Sequence, residues 1–294
     1  MVKKRLFLHP TFDCSFDKVC RDDCYLLAGK TDKEKQFRLP DEYWTSVVKL
    51  AGESGFEELS LPINPLRGVT GVTDPLYWLR LLAPIAREYE MVINTTMTLN
   101  VAEKILPTDE IDTVAISLDE FRIGKDWKRY AKKLTKVVNH LQALGIETNC
   151  NLSVSGSSMI QFYASSPMHK YLRYTFDYTT SLWPKPLKEA GILTRGAARL
   201  IIRGEAKGSS YPFLIGENEG FLEDYCMSYQ RGESNCDAGV NQLSLDAFGR
   251  LAICPYSGHT VDVSTTEKFQ HYLDQVLSKA EYISSCSLME TDLV

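Results

Sequence analysis

The chain has 294 residues, of which 44% are hydrophobic, 11% aromatic and 24% charged, so it can bury one large core or two smaller ones. Its 33 Lys and Arg stand against 38 Asp and Glu, a formal net charge of -5, and no long basic stripe supports a nucleic-acid partner. Neither the start MVKKRLFLHPTF nor the window LYWLRLLAPIA is apolar and long enough for a signal peptide or a membrane span. We therefore expect a cytoplasmic protein without a membrane partner, in which clustered thiols indicate metal binding or catalysis rather than disulfides.

Apolar runs of strand character alternate with helical runs along the first two thirds of the chain. The predicted strands are 5–12, 56–63, 91–97, 112–119, 146–154 and 171–178. A helix is predicted from Pro40-Asp41 to about Gly55, a second begins at Asp74-Pro75, and a third runs from about 125 to 144 before Gly145. Six strand-then-helix units predict a parallel sheet, either open or closed as a barrel, with its chemistry at the carboxyl ends of the strands.

Three cysteines follow the first predicted strand. Cys14, Cys20 and Cys24 have the spacing C-x5-C-x3-C and lie in a connection from residue 13 to 39. Such connections usually have about 2–6 residues, so the length of this one indicates a function. Tetrahedral zinc would need a fourth ligand, and the only nearby imidazole, His9, precedes the loop inside the strand, where a structural role is more typical. Three thiolates suit a four-iron, four-sulfur (4Fe-4S) cluster with one open iron; a zinc knuckle or three unrelated thiols are the alternatives.

The stretch PTFDCSFDKVCRDDCYL, a cysteine loop after strand one of a six-unit β/α sheet, resembles the radical S-adenosylmethionine (SAM) superfamily over about residues 5–200. The resemblance implies a partial (β/α)6 TIM-like barrel in which the three cysteines hold the cluster and the open iron binds the amino and carboxylate groups of SAM. Electron transfer, from an external donor such as flavodoxin or ferredoxin, then cleaves SAM to methionine and a 5′-deoxyadenosyl radical. That radical abstracts a hydrogen from the substrate.

Two features depart from the family pattern. The commonest spacing in the family is C-x3-C-x2-C with an aromatic residue before the last cysteine, where this chain has a longer loop and Asp23. The segment LPINPLRG replaces the glycine-rich segment that usually follows strand two and meets the SAM amino group. Asn64 is the candidate carbonyl acceptor for that amine.

Polar pairs occur at the ends of the fourth and fifth predicted strands. Ser117 and Asp119 share one strand face, and Asn149 and Asn151 share another, whereas Cys150 points the opposite way and suits a small buried apolar position. Such pairs at adjacent strand ends fit a wet pocket, and the resemblance implies that they contact the ribose and methionyl groups of SAM. In the alternative interpretation, these side chains cap helices or fill polar gaps.

The alternation of strand and helix patterns ends after residue 202, where the Gly- and Ser-rich stretch 203–220 indicates a linker. We therefore predict a barrel domain over 1–202 and an extension over 203–294. QLSLD and RLAIC predict a β-hairpin with its turn at 247–249, followed by a helix over about 265–280.

The spacing from Cys236 through Gly249 to Cys254 is C-x12-G-x4-C, which resembles the SPASM or twitch extension of radical SAM enzymes. The resemblance implies one auxiliary iron-sulfur cluster. Its candidate ligands are Cys226, Cys236, Cys254 and Cys286. Structural zinc, which also favours four thiolates, and scattered free thiols are the alternatives.

The sequence thus predicts a radical SAM enzyme acting on a peptide, a protein or a small molecule, with peptide or protein favoured by family association; no catalytic side chain is assigned. Two other classes stay open. One is a non-catalytic, zinc-stabilised ligand-binding protein on a β/α barrel, and the other is a degenerate relative that binds SAM or a cluster without radical chemistry.

Overall fold

In the computed structural model of the chain, the structure describes residues 4–15, 30–119, 127–154, 178–182, 200–204, 242–252 and 260–275. The strands are β1 Arg5–Leu8, β2 Glu58–Ile63, β3 Val92–Thr98, β4 Thr113–Asp119, β5 Glu147–Val154, β6 Tyr178–Leu182, β7 Leu200–Gly204, β8 Gln242–Leu245, β9 Arg250–Ala252 and β10 Val261–Asp262. The helices are α1 Asp32–Lys35, α2 Asp41–Glu53, α3 Tyr77–Glu88, α4 Leu99–Ala102, α5 Trp127–Ala143 and α6 Thr266–Gln275.

These ten strands form one mixed sheet in the order β10-β9-β8-β1-β2-β3-β4-β5-β6-β7. Neighbours from β1 to β6 all pair in parallel, which confirms the predicted succession of parallel strands. Helices connect β2 to β3 and β4 to β5, as the alternating sequence pattern requires. The architecture is an open α/β sheet of the partial-barrel kind.

Two predicted strands have different bounds in the structure. The first ends at Leu8 instead of residue 12, because Pro10 has no N–H for the ladder and the Asp13 N–H donates to Thr11 Oγ1 at 2.9 Å. The sixth is Tyr178–Leu182 instead of 171–178, and residues 171–177 lie outside the described ranges.

The helix predicted from Asp74-Pro75 begins at Tyr77. The Asp74 carboxylate accepts the N–H of Leu76 at 3.0 Å and its carbonyl accepts the N–H of Tyr77 at 3.1 Å, so these residues form a turn that leads into α3. The other two helices are confirmed to within two residues at the ends that the structure describes. Gly145, after α5, has the left-handed φ of 78° expected of a helix C-cap.

The C-terminal elements join the same sheet. The predicted hairpin is confirmed as β8 and β9, and β8 also pairs in parallel with β1, with Arg5 opposite Gln242 and Leu8 opposite Leu245. At the other edge, β7 pairs antiparallel with β6 and contains the first residues of the predicted linker, 203–204. The helix predicted over 265–280 is present as α6, and the domain boundary at residue 202 stays a prediction.

One face of the sheet carries the main hydrophobic core. Leu6, Leu59 and Ile93 lie in one register row and are fully buried with Trp44 of α2 and Leu82 of α3. Burying this alternating set of strand residues under amphipathic helices stabilises the sheet and leaves the opposite face for other side chains. No helix in the described part of the chain is long and apolar enough to cross a membrane.

Candidate active site at the carboxyl edge of the sheet

The face opposite the helices is polar. Ser60 pairs with Asn94, and both lie at the strand positions that alternate with the core-facing residues Leu59 and Ile93. Asn149 pairs with Ala115 on the same face, where it is half-buried, while its neighbour Cys150 is fully buried in the main core. The prediction that Cys150 is a small buried apolar residue is therefore confirmed. The alternation gives the sheet one dry face and one face with hydrogen-bonding groups.

One row of this polar face runs through β3, β4 and β5 near their carboxyl ends. Thr98 is opposite Ser117, and Ser117 is opposite Asn151. Asp119, two residues further along β4, is opposite Ser153. The register thus brings predicted site residues of β4 and β5 side by side at their carboxyl ends; for Asp119 and Asn151 the backbone alone is described.

Thr98 is a member of this row that the sequence did not single out. It is 8% exposed, and its Oγ1 makes no hydrogen bond in the part of the chain that the structure describes. Thr98 also occupies the N-cap of α4 without using its hydroxyl as a cap. A buried hydroxyl without a partner is costly, so this group is suited to a bound molecule. Its shared strand face with Thr96 and its place at a strand end were the signals available in the sequence.

Asp13 fixes the segment that carries Cys14. Its fully buried carboxylate accepts the backbone N–H groups of Arg67 at 3.1 Å, Gly68 at 2.8 Å and Val69 at 3.0 Å. The Arg67 guanidinium lies 3.5 Å from the same carboxylate. Gly68 has a φ of 85°, which glycine adopts without strain. The segment after β1 is thereby tied to the segment after β2.

Asn64 immediately follows β2 and is half-buried. Its neighbour Pro65 accepts the N–H of Ser15 at 2.7 Å through its carbonyl. Asn64 therefore lies on the segment that directly contacts the residue after Cys14. Its role as an acceptor for an amine stays a prediction.

Cys14 lies in a small apolar cluster separate from the main core. It is 5% exposed and packs with Phe12 and Ala247, and Phe248 packs against the same group. Within the described ranges, no three His, Cys, Asp or Glu side chains gather to hold a metal ion. The other six predicted ligands lie outside those ranges; they are Cys20, Cys24, Cys226, Cys236, Cys254 and Cys286.

His9 is buried between β1 and the cysteine-bearing segment. Burial lowers the pKa of its imidazole to about 4, because removing the ring from water penalises the charged form. The His9 N–H of the backbone donates to the carbonyl of Leu245 at 2.9 Å and extends the contact between β1 and β8. A neutral, buried ring is consistent with the predicted structural role.

No protein-family model matches the sequence, and no curated protein matches it. The fold is similar to that of a radical SAM enzyme, as the comparison with solved structures shows. One protein of similar fold is anSMEcpe, an anaerobic sulfatase-maturating enzyme. Its structure with bound AdoMet and Kp18Cys peptide is 13% identical to this chain, with a TM-score of 0.51, and the match covers 96% of this chain and 88% of that one. The polyhistidine-tagged form with bound AdoMet is 14% identical, with a TM-score of 0.50 and coverages of 92% and 77%. At these identities the likeness is one of fold.

Proposed function

We propose that this chain is a radical SAM enzyme that reductively cleaves SAM and removes a hydrogen atom from its substrate. The observation that carries the proposal is the place of Cys14. The first cysteine of the loop lies beyond the end of β1, where Asp13 ties it to the segment after β2, in a sheet with the fold of a radical SAM enzyme. Catalytic groups in parallel sheets collect at this edge.

In this proposal Cys14, Cys20 and Cys24 would hold a 4Fe-4S cluster, and Cys14 is the member of this set that the structure describes. Cys14 is buried among aromatic side chains, and an apolar, water-poor setting suits an oxygen-sensitive cluster bound by thiolates. When bound, the cluster would supply the electron that cleaves SAM, and the chain would orient SAM and the substrate and exclude water.

The polar row and its neighbours would hold SAM. In this proposal the hydroxyls of Thr98 and Ser117 form hydrogen bonds with the ribose of SAM. Asn149, Asn151 and Asp119 bind the remaining polar groups of SAM. Asn64 accepts from the amino group. Support comes from the register that aligns Thr98, Ser117 and Asn151, and from the buried Thr98 hydroxyl that lacks a partner in the described part of the protein. Groups of this kind fix the orientation of a ligand in an otherwise apolar pocket.

We further propose an auxiliary iron-sulfur cluster on Cys226, Cys236, Cys254 and Cys286. Support comes from the β8–β9 hairpin, which ends at Ala252, two residues before Cys254, and from α6 in the predicted position. The substrate in this proposal is a peptide or protein, or else a small molecule. A peptide is favoured because the matched structure of anSMEcpe contains one. The electron donor is a flavodoxin or ferredoxin, and the enzyme works in the cytoplasm.

The test begins with iron and sulfide per chain in anaerobically prepared protein, together with its ultraviolet-visible spectrum. We expect about eight irons in the wild type and about four in the Cys14/Cys20/Cys24 triple Ala variant, since each 4Fe-4S cluster carries four. Cys150→Ala is the matched control, because Cys150 is a buried thiol in the main core and its loss should leave the iron unchanged. Formation of 5′-deoxyadenosine from SAM with dithionite is the activity assay.

Other outcomes decide against the proposal. Colourless protein with one or two zinc ions would support the zinc-stabilised binding protein instead. Iron bound at full occupancy, without 5′-deoxyadenosine from any preparation, would support the degenerate relative.

A further inference from the structure

We infer that Phe248, on the turn between β8 and β9, is a positioning residue for the three-cysteine loop; the inference rests on the function proposed above for that loop. Its ring lies 5.1 Å from the ring of Phe12, two residues before Cys14. The Nζ of Lys30, the first described residue after 16–29, lies 5.5 Å from the same ring. The described residues on either side of 16–29 therefore contact one side chain from the C-terminal part of the chain.

The turn holds Phe248 in a fixed direction. The Asp246 carboxylate accepts the backbone N–H groups of Phe248 at 2.9 Å and Arg250 at 3.0 Å, and also the Nε of Arg250 at 3.0 Å. Gly249 has a φ of 75°, and a Cβ there would lie 2.5 Å from the Cα of Ser264. Glycine is thus required on two grounds, and the turn has little freedom to carry Phe248 elsewhere.

Charge accompanies the packing. The Arg250 guanidinium carbon lies 4.5 Å from the centre of the Phe248 ring, and Lys30 Nζ lies 5.1 Å from the centre of the Phe12 ring. Aromatic faces attract such cations. The arrangement places the Lys30 ammonium beside the apolar cluster that buries Cys14, whereas the Arg250 guanidinium there is paired with the Asp246 carboxylate at 3.0 Å. Positive charge nearby stabilises the anionic form of a thiolate-bound cluster.

The contact links the two cysteine groups of the sequence. Phe248 lies between Cys236 and Cys254 in the chain and packs against the Cys14 cluster in space. Displacing the hairpin would therefore remove the contacts of Phe248 with Phe12 and with Lys30. The inferred role of Phe248 is additional to the C-x12-G-x4-C pattern, in which Gly249 is the only specified residue of this turn.

The experiment compares Phe248→Ala, Phe248→Tyr and Val263→Ala in the full chain, reduced and free of metal. Val263 is buried near the hairpin but packs in the main core, so its truncation destabilises the same region without touching Cys14. The measurement is the rate of alkylation of Cys14 by iodoacetamide, read by peptide mass spectrometry, with Cys150 as the internal reference. Circular dichroism checks folding.

We expect Phe248→Ala to raise the alkylation rate of Cys14 about tenfold while the Cys150 rate stays constant, because the removed ring packs against the cluster that buries Cys14 and not in the main core that buries Cys150. Phe248→Tyr keeps the ring, so Cys14 should be alkylated at the wild-type rate. Val263→Ala should change the alkylation rate of Cys14 by less than about twofold. After cluster reconstitution, we also expect a changed electron paramagnetic resonance spectrum in Phe248→Ala and a wild-type spectrum in Phe248→Tyr. If Phe248→Ala does not fold, Phe248→Leu replaces it, with a rise of about threefold expected from the lost cation contacts.

An unchanged Cys14 rate in the folded variant, or a parallel rise at Cys150, overturns the inference. A wild-type chain that binds no iron overturns the proposed function instead, and the alkylation result distinguishes that failure because it needs no cluster.

Discussion

Replacing Asp13 by Asn removes the charge from a fully buried carboxylate that accepts three backbone N–H groups. Asn has nearly the same shape, so the substitution isolates the electrostatic contribution. The Asn oxygen can still face Gly68 and Val69, which share one carboxylate oxygen. Its NH2 group then faces the N–H of Arg67, so two donors oppose each other.

The expected loss follows from these contacts. A hydrogen bond to a charged group contributes about 1.5–3 kcal/mol and a neutral one about 0.5–1.5 kcal/mol, so the two bonds that remain lose about 2–3 kcal/mol together. The unsatisfied N–H of Arg67 costs about 1–3 kcal/mol more. Burying a neutral amide is less costly than burying a charge, which offsets part of this sum. The net expectation is a decrease of about 3 kcal/mol in the free energy of unfolding.

Urea unfolding of the reduced full chain at pH 7.5 measures this loss. The matched control is Asp112→Asn, because Asp112 also accepts a backbone N–H, from Ile93 at 2.7 Å, and pairs with Arg87 at 2.8 Å, but its side chain is 39% exposed. Solvent competes there, and we expect a loss below about 1 kcal/mol. Equal losses in the two variants, or a loss below about 1 kcal/mol for Asp13→Asn, would refute the view that Asp13 anchors the Cys14 segment.

Three further predictions concern other positions. Burial lowers the pKa of His9 from 6.5 to about 4, so its contribution is complete above pH 6.5 and stability falls by about 3 kcal/mol as the pH drops toward 4, as urea unfolding across that range would measure. Gly249→Ala should cost about 2–4 kcal/mol in the same assay, because its Cβ meets Ser264, whereas Gly55→Ala, at φ 76° with open space around it, should cost about 1–2 kcal/mol. Thr98→Val should change stability by less than about 1 kcal/mol and raise the KM for SAM about tenfold.

Each of these has a contrary result. A His9→Leu variant with the same pH dependence as the wild type would assign the acid loss to other groups. Equal costs at Gly249 and Gly55 would show that contact with Ser264 is unimportant. A wild-type KM in Thr98→Val would remove that hydroxyl from the SAM site, whereas a large loss of stability would show that it has a structural partner.

The repeating architecture could be predicted because each element carries its own signal. The apolar runs of β2 to β5 and the glycine after α5 are local, and their positions in the structure agree with the sequence to within about two residues. The prediction of where α3 starts was less accurate, because the Asp74 carboxylate accepts the same kind of backbone N–H bond in this turn as it would in a helix N-cap. Side-chain parity correctly separated Cys150 from Asn149.

The contacts between distant segments could not be predicted. The pairing of β1 with β8 depends on which of several exposed edges a hairpin joins, and nothing in QLSLD specifies that edge. Asp13 gave no signal either, because one carboxylate beside a cysteine has no spacing that indicates its three backbone donors. Thr98 could have been predicted as a site residue from strand parity, but the lack of a hydrogen-bond partner among the described residues is a property of the folded chain.

The pairing of β1 with β8 has a consequence for biosynthesis. During translation, β1 leaves the ribosome long before residues 242–245 exist, so one side of β1 keeps unpaired backbone groups until those residues have been made. The Cys14 pocket, which includes Ala247, is incomplete until then. Under the proposed function, iron insertion at the loop should follow synthesis of the hairpin, and chains arrested before it should present an unpaired strand edge to chaperones.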